Sequence, residues 1–435
     1  VSSKTKSVYS YAPVFKKSVL KNGIRVITEN HPYSRAVSVG FFVDIGSRDE
    51  SPELSGVTHF IEHLVFKGTK KRSAFQIAES LEAVGGDLNA YTTRETTCFH
   101  ATCLTEHFSL ALDVLSDLIR GAKLTQKDFE RERMVILQEL DMAKDSPEDF
   151  GGDLYFEKVF AGDPLGAEIA GTPESLSKLK RKNLISYYHR HYTGCQLLVS
   201  AAGAVDHDDV VAKVKRALGD LDAGESVPKR LKPKYRSFEH FHQRPSEQVH
   251  LFFGMPSTSY KDPLRFDSYI VNALLGGGVT SRLYQRVREE RGLVYAIYSF
   301  LQSFVDTGLL QIYAGSSAKN CLQVTDIILD ETEKLRQKPP GKKEIAMYRT
   351  QLEGQILLGA EDMENRMNSL GVNEMVFGSY RPVEQVIEEI RSVNVDSVRR
   401  YLDGYFSEER LSFLGVGDLT SKQALALLAK VKHKG

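Results

Sequence analysis

The stretch "THFIEHLVFKG", residues 58–68, places His59, Glu62 and His63 within five positions of an otherwise apolar run. On an α-helix, positions i, i+3 and i+4 share a face, so the three side chains project together. Two imidazoles one turn apart can both reach a zinc ion at about 2.0–2.1 Å, with the glutamate beside the ion rather than on it. Zinc lowers the pKa of a bound water towards about 7, and a neighbouring carboxylate can accept that water's proton. The order H-x-x-E-H inverts the H-E-x-x-H zinc signature. The triplet therefore suits water activation for hydrolysis. Two surface histidines flanked by a glutamate would look the same, but would need no third ligand elsewhere.

A third ligand has a candidate in "TQKDFERERMVILQEL", residues 125–140. Thr125 and Asp128 are spaced as a capping-box variant, so a helix is expected to start there. Glu132 and Glu139 lie two turns apart on one face of it, among Val135 and Ile136. By spacing alone a solvated acidic stripe stays open. Beside the histidine motif, Glu139 is the candidate third ligand and Glu132 a carboxylate in the outer shell.

These residues need elements to hold them. Val57, Phe60, Ile61 and Leu64 form the opposite, core-facing stripe of the motif helix, with Ser55 as expected N-cap and Gly68 as expected terminator. Asn22-Gly23 signals a hairpin between β-rich runs, and "RAVSVGFFVDIGS" reads as a further strand. A second helix is expected over about residues 73–84. "GGDLNAYTTRETTCFHATC" reads as a strand pair, followed by an amphipathic helix at "HFSLALDVLSDLIRG".

From residue 249 the same order returns. "VHLFFGMPS" repeats "VGFFVDIGS", "FDSYIVNALLG" repeats the motif helix, and "GLVYAIYSFLQSF" with "GLLQIYAG" repeats the strand pair. "GKKEIAMYRTQLEGQI" echoes the Glu139 helix, and "ERLSFLGVGDLT" echoes "CQLLVSAAGAVD". Order kept over the whole length marks a duplication into two units of roughly 200 residues. The expected division is 1–222, a Lys-, Arg- and Pro-rich linker at 223–246, and 247–435. Strands mixed with long helices argue an α+β class, each unit a mostly antiparallel sheet packed against helices. Opposite His59, Glu62, His63 and Glu139 the second unit carries Tyr269, Asn272, Ala273 and Gln355. Only the first unit can hold a metal this way, and the fold does not need those histidines. The run Gly276-Gly277-Gly278 lacks the Lys-Ser/Thr of a P-loop and reads as a turn.

Composition sets the outer limits. With 435 residues, 41% apolar and 26% charged, the chain suits a globular protein of two or more domains. A formal net charge of zero, without blocks of like charge, offers no footprint for nucleic acid or a membrane surface. No apolar run reaches the roughly 20 residues needed to span a bilayer. A cytoplasmic location is expected. The chain opens on Val rather than Met, which leaves open a removed leader and an organellar or periplasmic place. Cys98, Cys103, Cys195 and Cys321 fit no zinc-ribbon or CxxC spacing and read as reduced thiols.

The combination of "HFIEH", "FKGTKKR", "LNAYTTRE" and "ERERMVILQEL" resembles the pitrilysin/insulinase (M16) family of zinc peptidases, in its short branch with the processing-peptidase β-subunits and bacterial relatives. The resemblance covers nearly the whole chain. It implies one zinc ion per chain on His59, His63 and Glu139, Glu62 as general base, Glu132 supporting the ligands, and two domains forming half of a clamshell. It also implies roles for Arg288 and Tyr295, in "SRLYQRVREERGLVYAIYS", facing the metal from the opposite half. Tyr295 would hydrogen-bond a developing oxyanion and Arg288 hold a substrate carbonyl. Asn89 and Ala90 would take substrate backbone on an exposed edge strand. Because the chain carries both the metal set and the Arg/Tyr pair, a homodimer with composite sites is expected. The substrate implied is a peptide or an unfolded segment. A non-catalytic recognition subunit of the same fold and a presequence-processing peptidase are the alternatives.

Overall fold

The computed structural model describes residues 13–226 and 229–432. The first half runs β1 (Val14–Val19), β2 (Arg25–Asn30), β3 (Ala36–Val43), α1 (Val57–Val65), α2 (Ala74–Glu82), β4 (Asp87–Thr92), β5 (Thr97–Leu104), α3 (Phe108–Gly121), α4 (Gln126–Asp145), α5 (Pro147–Val159), α6 (Pro173–Lys178), α7 (Arg181–His191), β6 (Leu197–Gly203) and α8 (His207–Leu218). The second runs β7 (Glu239–Gln243), β8 (Val249–Pro256), α9 (Arg265–Leu275), β9 (Val294–Ser303), β10 (Gly308–Ser316), α10 (Cys321–Gln337), α11 (Lys342–Gly359), α12 (Met363–Phe377), α13 (Val383–Ser392), α14 (Val395–Tyr405), β11 (Ser412–Gly417) and α15 (Ser421–Lys432).

The duplication is visible in the strand order. One sheet is ordered β1-β2-β6-β3-β5-β4 and the other β7-β11-β8-β10-β9. Each has a single parallel pair, β2–β6 in the first and β7–β11 in the second, among antiparallel neighbours. The first sheet differs by the extra strand β1, joined to β2 through the Asn22-Gly23 turn, where Gly23 takes a left-handed φ of 91°. The α+β reading with two sheet-and-helix units holds.

The expected linker is too long. Glu239–Gln243, inside residues 223–246, pairs in parallel with β11 and forms an edge of the second sheet. The short strand "EHFHQ" is half-exposed and carries little apolar signal, so composition alone hides it. What precedes it is pinned: Arg230 binds Asp49, and the Tyr235 hydroxyl bonds the backbone of Gly254 and Arg410.

Each sheet buries both faces. The first packs one face against α1, α3 and α8 around Val39, Phe41, Phe60, Leu64 and Leu115. Its other face is closed by α12 of the second half, where Met363, Met367 and Leu370 meet Ile27, Phe42 and Leu198. The second sheet is treated alike: α5 of the first half lays Tyr155, Phe156 and Val159 against Phe252, Tyr313 and Leu414. The halves thus exchange one helix each. Glycine makes both contacts possible. A Cβ on Gly371 would lie 2.5 Å from the Phe42 ring, and one on Gly151 would lie 2.3 Å from the equivalent Phe252 ring.

Buried ion pairs stitch the same seam. Arg366 of α12 grips Glu29 of β2 at 2.8 and 2.5 Å, and Tyr380 and His31 bind the same carboxylate. Arg48 spans Glu95 and Asp306. Among the described residues no helix is long and apolar enough to cross a membrane.

Candidate metal centre

Helix α1 forms where its apolar stripe demands: Val57, Phe60, Ile61 and Leu64 are fully buried. Its start differs from expectation. The N-cap is Gly56 in the left-handed region at φ 90°, not Ser55. In place of a serine hydroxyl, the buried Glu50 carboxylate accepts the Gly56 and Thr58 N–H groups, both at 2.7 Å. Burial pushes this carboxyl up to about 8 against those bonds, so it satisfies the unpaired N–H groups of the helix start by hydrogen bonding. Only glycine fits here, since a Cβ would also meet the Ala170 carbonyl at 2.6 Å. At the other end α1 stops at Val65 with Phe66 as cap, before Gly68. Gly68, at φ 129°, instead opens a tight loop that bridges back to Ser73.

Helix α4 begins as the capping pattern requires, with Thr125 accepting the Asp128 N–H. Phe129 stacks on Phe60 of α1 with ring centroids 4.8 Å apart, which locks the two helices in register. This packing carries Glu132 and Glu139 to His63. Glu139 Oε2 lies 3.5 Å from His63 Nε2, and Glu132 Oε2 lies 3.5 Å from His63 Nδ1. Glu132 is 1% exposed and has Lys67 Nζ at 3.0 Å. The His59 and His63 rings lie 4.6 Å apart, and His59 Nδ1 is buried without a hydrogen-bond partner.

Ligand atoms of His59, His63 and Glu139 all lie within 4.8 Å of one another, the one such cluster among the described residues. Ligands of a tetrahedral zinc site at 2.0–2.1 Å stand about 3.3 Å apart, close to the His63–Glu139 spacing. Two imidazoles and one carboxylate leave a fourth position open, as catalytic zinc sites do. A carboxylate behind the second nitrogen of a liganding histidine orients the ring, and Glu132 stands there. The donor set fits zinc.

Electrostatics agree with the geometry. Burial, with the neighbouring His63, pulls His59 down to about 4, so its ring is neutral at physiological pH, as a ligand requires. Burial raises the Glu62 carboxyl. The Thr92 hydrogen bond and His63 oppose that rise, and Glu139 adds to it. Thr92 Oγ1 donates to Glu62 Oε2 at 2.5 Å. In the second half Ser299 Oγ donates to Asn272 Oδ1 at 2.8 Å, the same helix-to-strand tie with a neutral amide in place of the carboxylate.

The other expected site residues are not members of this cluster. Asn89 and Ala90 are on β4, the outer edge of the first sheet, and the Ala90 N–H is held at 2.9 Å by the Asn89 side chain rather than by another strand. Arg288 is in a wide-turned π-helix, Tyr284–Glu289, and Tyr295 is the second residue of β9, the outer edge of the second sheet. Arg288 lies over the rings of Tyr284 and Tyr295 at 4.9 and 5.2 Å, and Tyr295 is 80% exposed. Sequence reasoning missed Glu50, Lys67 and Thr92. Thr92 sat in the motif "LNAYTTRE", three residues past Asn89 on the strand expected beside the metal ligands; Glu50 carried no local signal.

Known proteins place the chain. Residues 25–173 match the family described as insulinase (peptidase family M16), and residues 178–352 match the one described as peptidase M16 inactive domain. An uncharacterized zinc protease of Streptomyces coelicolor is 36% identical over 420 residues, covering 95% of this chain and 91% of the relative. The uncharacterized zinc protease YmxG of Bacillus subtilis is 33% identical over 396 residues, covering 91% and 97%. A protease from Helicobacter pylori shares the fold at TM-score 0.87 and 19% identity, over 94% of this chain and all of that one (100%). A peptidase M16 inactive domain from Pseudomonas fluorescens does so at 0.87 and 16%, over 93% and 98%. With two family matches side by side and relatives above 30% identity along nearly its whole length, the chain belongs to peptidase family M16.

Proposed function

We propose that the chain is a zinc-dependent endopeptidase acting on peptides or unfolded polypeptide segments. The observation that carries this reading is the convergence of His59, His63 and Glu139 with Glu62 beside them, found in the first half alone among the described residues. The zinc-protease names of the relatives agree with it. Zinc held there supplies a Lewis acid for the scissile carbonyl and makes water nucleophilic near neutral pH. Glu62, steadied by Thr92, accepts the proton of the attacking water and returns it to the leaving amine. The free edge of β4 receives the peptide as an added strand, with Asn89 and Ala90 meeting its backbone.

Arg288 and Tyr295 act in this scheme from a second copy. Two chains face each other, and each composite site joins one copy's first half to the other's Arg288 and Tyr295. An exposed tyrosine on an edge strand, braced by an arginine, supports that role. There Tyr295 donates to the oxyanion and Arg288 to a substrate carbonyl.

The deciding experiment is Glu62→Gln, read by zinc content and by cleavage of a quenched peptide. Zinc is expected to stay, and cleavage to fall about 10²–10⁴-fold. Unchanged cleavage would sink the scheme. Mixing Glu62→Gln with Arg288→Ala chains should restore about a quarter of the sites, since half the dimers are mixed and each has one intact site. A dead mixture would refute composite sites.

A further inference from the structure

His59, His63 and Lys67 are spaced four apart, so a lysine continues the row of metal-facing histidines by one turn. Helix α1 ends at Val65, but the chain stays wound, and the Lys67 N–H bonds the Leu64 carbonyl at 3.1 Å. Just beyond, the loop is tied to the end of α3. The Lys123 N–H bonds the Gly68 carbonyl at 3.0 Å, and the Lys70 N–H bonds the Gly121 carbonyl at 2.9 Å. Lys67 therefore extends from a fixed backbone. Its Nζ lies 3.0 Å from Glu132 Oε2, the oxygen that stands 3.5 Å from His63 Nδ1. We propose that Lys67 is a positioning residue of the metal centre, holding the Glu132 carboxylate behind His63 and so setting how tightly zinc is bound. The proposal rests on the reading of His59, His63 and Glu139 as zinc ligands.

The carboxylate is buried where α1 and α4 pack. Glu132 comes one turn after Phe129, whose ring stacks on Phe60 of α1. It is 1% exposed, and its Oε2 makes no hydrogen bond. Among the described residues Lys67 is the one lysine or arginine within ion-pair distance of it. A buried charge is costly without a partner, and Lys67 supplies one.

The second half shows that the packing itself does not need this pair. Helices α9 and α11 repeat α1 and α4, and α9 is capped at Gly276 where α1 is capped at Phe66. One residue on, Gly277 stands in the place of Lys67, and Tyr348 of α11 in the place of Glu132. Tyr348 is buried and its hydroxyl donates to the Thr280 carbonyl at 3.1 Å, so a neutral side chain fills that space. Both charges are absent where the ligand residues are replaced. A buried ion pair is a poor source of stability beside a well-packed apolar pair, so its use here lies in direction. A carboxylate orients a liganding ring only while it stays turned to the ring nitrogen. Lys67 and His63 share one oxygen of Glu132, and the ammonium keeps that oxygen at the ring. Charge alone predicts the opposite effect: an ammonium near a dication repels it, so losing Lys67 would tighten zinc. The sign separates the two accounts.

The test measures zinc affinity by competition with a chromogenic chelator, on the unsubstituted chain, Lys67→Met, Glu132→Gln and the double variant. Circular dichroism melts first fix a temperature at which all of them are folded. Lys67→Met is expected to weaken zinc binding about tenfold. Because Lys67 acts through Glu132, the double variant should bind no more weakly than Glu132→Gln alone. Tighter binding by Lys67→Met, or losses that add in the double variant, overturns the inference. So does a lower melting temperature of the zinc-free Lys67→Met chain with unchanged affinity, the mark of a purely structural pair. His63→Ala tells the two readings apart. If it leaves zinc binding unchanged, or if the unsubstituted chain binds none, the metal centre falls and the inference with it. If it abolishes binding while Lys67→Met does not weaken it, the inference alone falls.

Discussion

Thr92, on the edge strand of the first sheet, donates a 2.5 Å hydrogen bond to Glu62 on the motif helix. It ties the carboxylate beside the metal ligands to the strand proposed to receive substrate. The tie does not depend on metal ligands, because Ser299 and Asn272 form it in the second half, where the ligand residues are replaced.

Removing that bond should slow turnover without loss of metal. A hydrogen bond to a charged group is worth roughly 1.5–3 kcal/mol, so Thr92→Val is expected to lower kcat about tenfold or more. Thr92→Ser should keep most of the rate. Zinc content and peptide cleavage measured on the same preparations check it; a Thr92→Val chain at full rate would free Glu62 from any need of the strand.

Glu132 stands behind His63 at 3.5 Å, and it should govern how tightly zinc is held rather than whether it binds. Glu132→Gln is expected to weaken zinc affinity about 10–100-fold, read by competition with a chromogenic chelator. Equal affinity in the variant would mean that Glu132 serves only to neutralise Lys67.

The seam between the halves should loosen in acid. Burial raises the Glu29 carboxyl, but bonds from His31, Arg366 and Tyr380 with the Arg366 charge bring it down to about 2, from an ordinary 4.5. A carboxylate whose folded pKa is depressed stabilises fully above its unfolded value and loses that contribution as pH falls through the folded one. The melting temperature is therefore expected to drop between about pH 4.5 and pH 2. Arg366→Met should cost about 3–5 kcal/mol at neutral pH, by leaving a buried charge unpaired, and should flatten that acid limb. An acid limb of the same depth in the variant would assign it to other carboxylates.

Glycine at the exchanged helices is required by space, not by backbone angle. Gly371→Ala and Gly151→Ala push a methyl into the Phe42 and Phe252 rings and should each destabilise by about 1–3 kcal/mol. Gly354, on α11, is the control, because a methyl added there would meet nothing within 4 Å. At that position alanine should be neutral or stabilising by about 0.5–1 kcal/mol. Thermal melts of the three chains suffice, and equal losses at all three positions would contradict the packing account.

How much of this could be read from residues alone depended on how local the cause was. His59, Glu62 and His63 share a face by helical period, and Thr125 starts its helix by a side-chain bond three residues long. Both are local, and both were legible. The edge position of β4 was legible only through the family resemblance, since the strand pair alone does not say which member lies outermost. The cap of α1 was not legible, because Glu50 reaches it from six residues before Gly56 through a turn only the fold defines. The strand β7 was hidden because its side chains are half-exposed and pair with β11, some 170 residues on in the chain. Nor does α12 state its destination. Its apolar residues mark it as buried, but which sheet they cover is decided by Gly371 meeting Phe42, a contact between distant parts of the chain.

The exchange of α5 and α12 also bears on descent and on cutting. A single unit of this kind, made alone, would leave one face of its sheet bare, and two such units would close each other by lending a helix apiece. The chain has the geometry of that mutual loan after the two borrowers were joined end to end. The join, not the loan, is dispensable: a protease nick between residues 223 and 238 should leave one particle on size exclusion. Of the two, only the first half carries a metal-ligand cluster among the described residues.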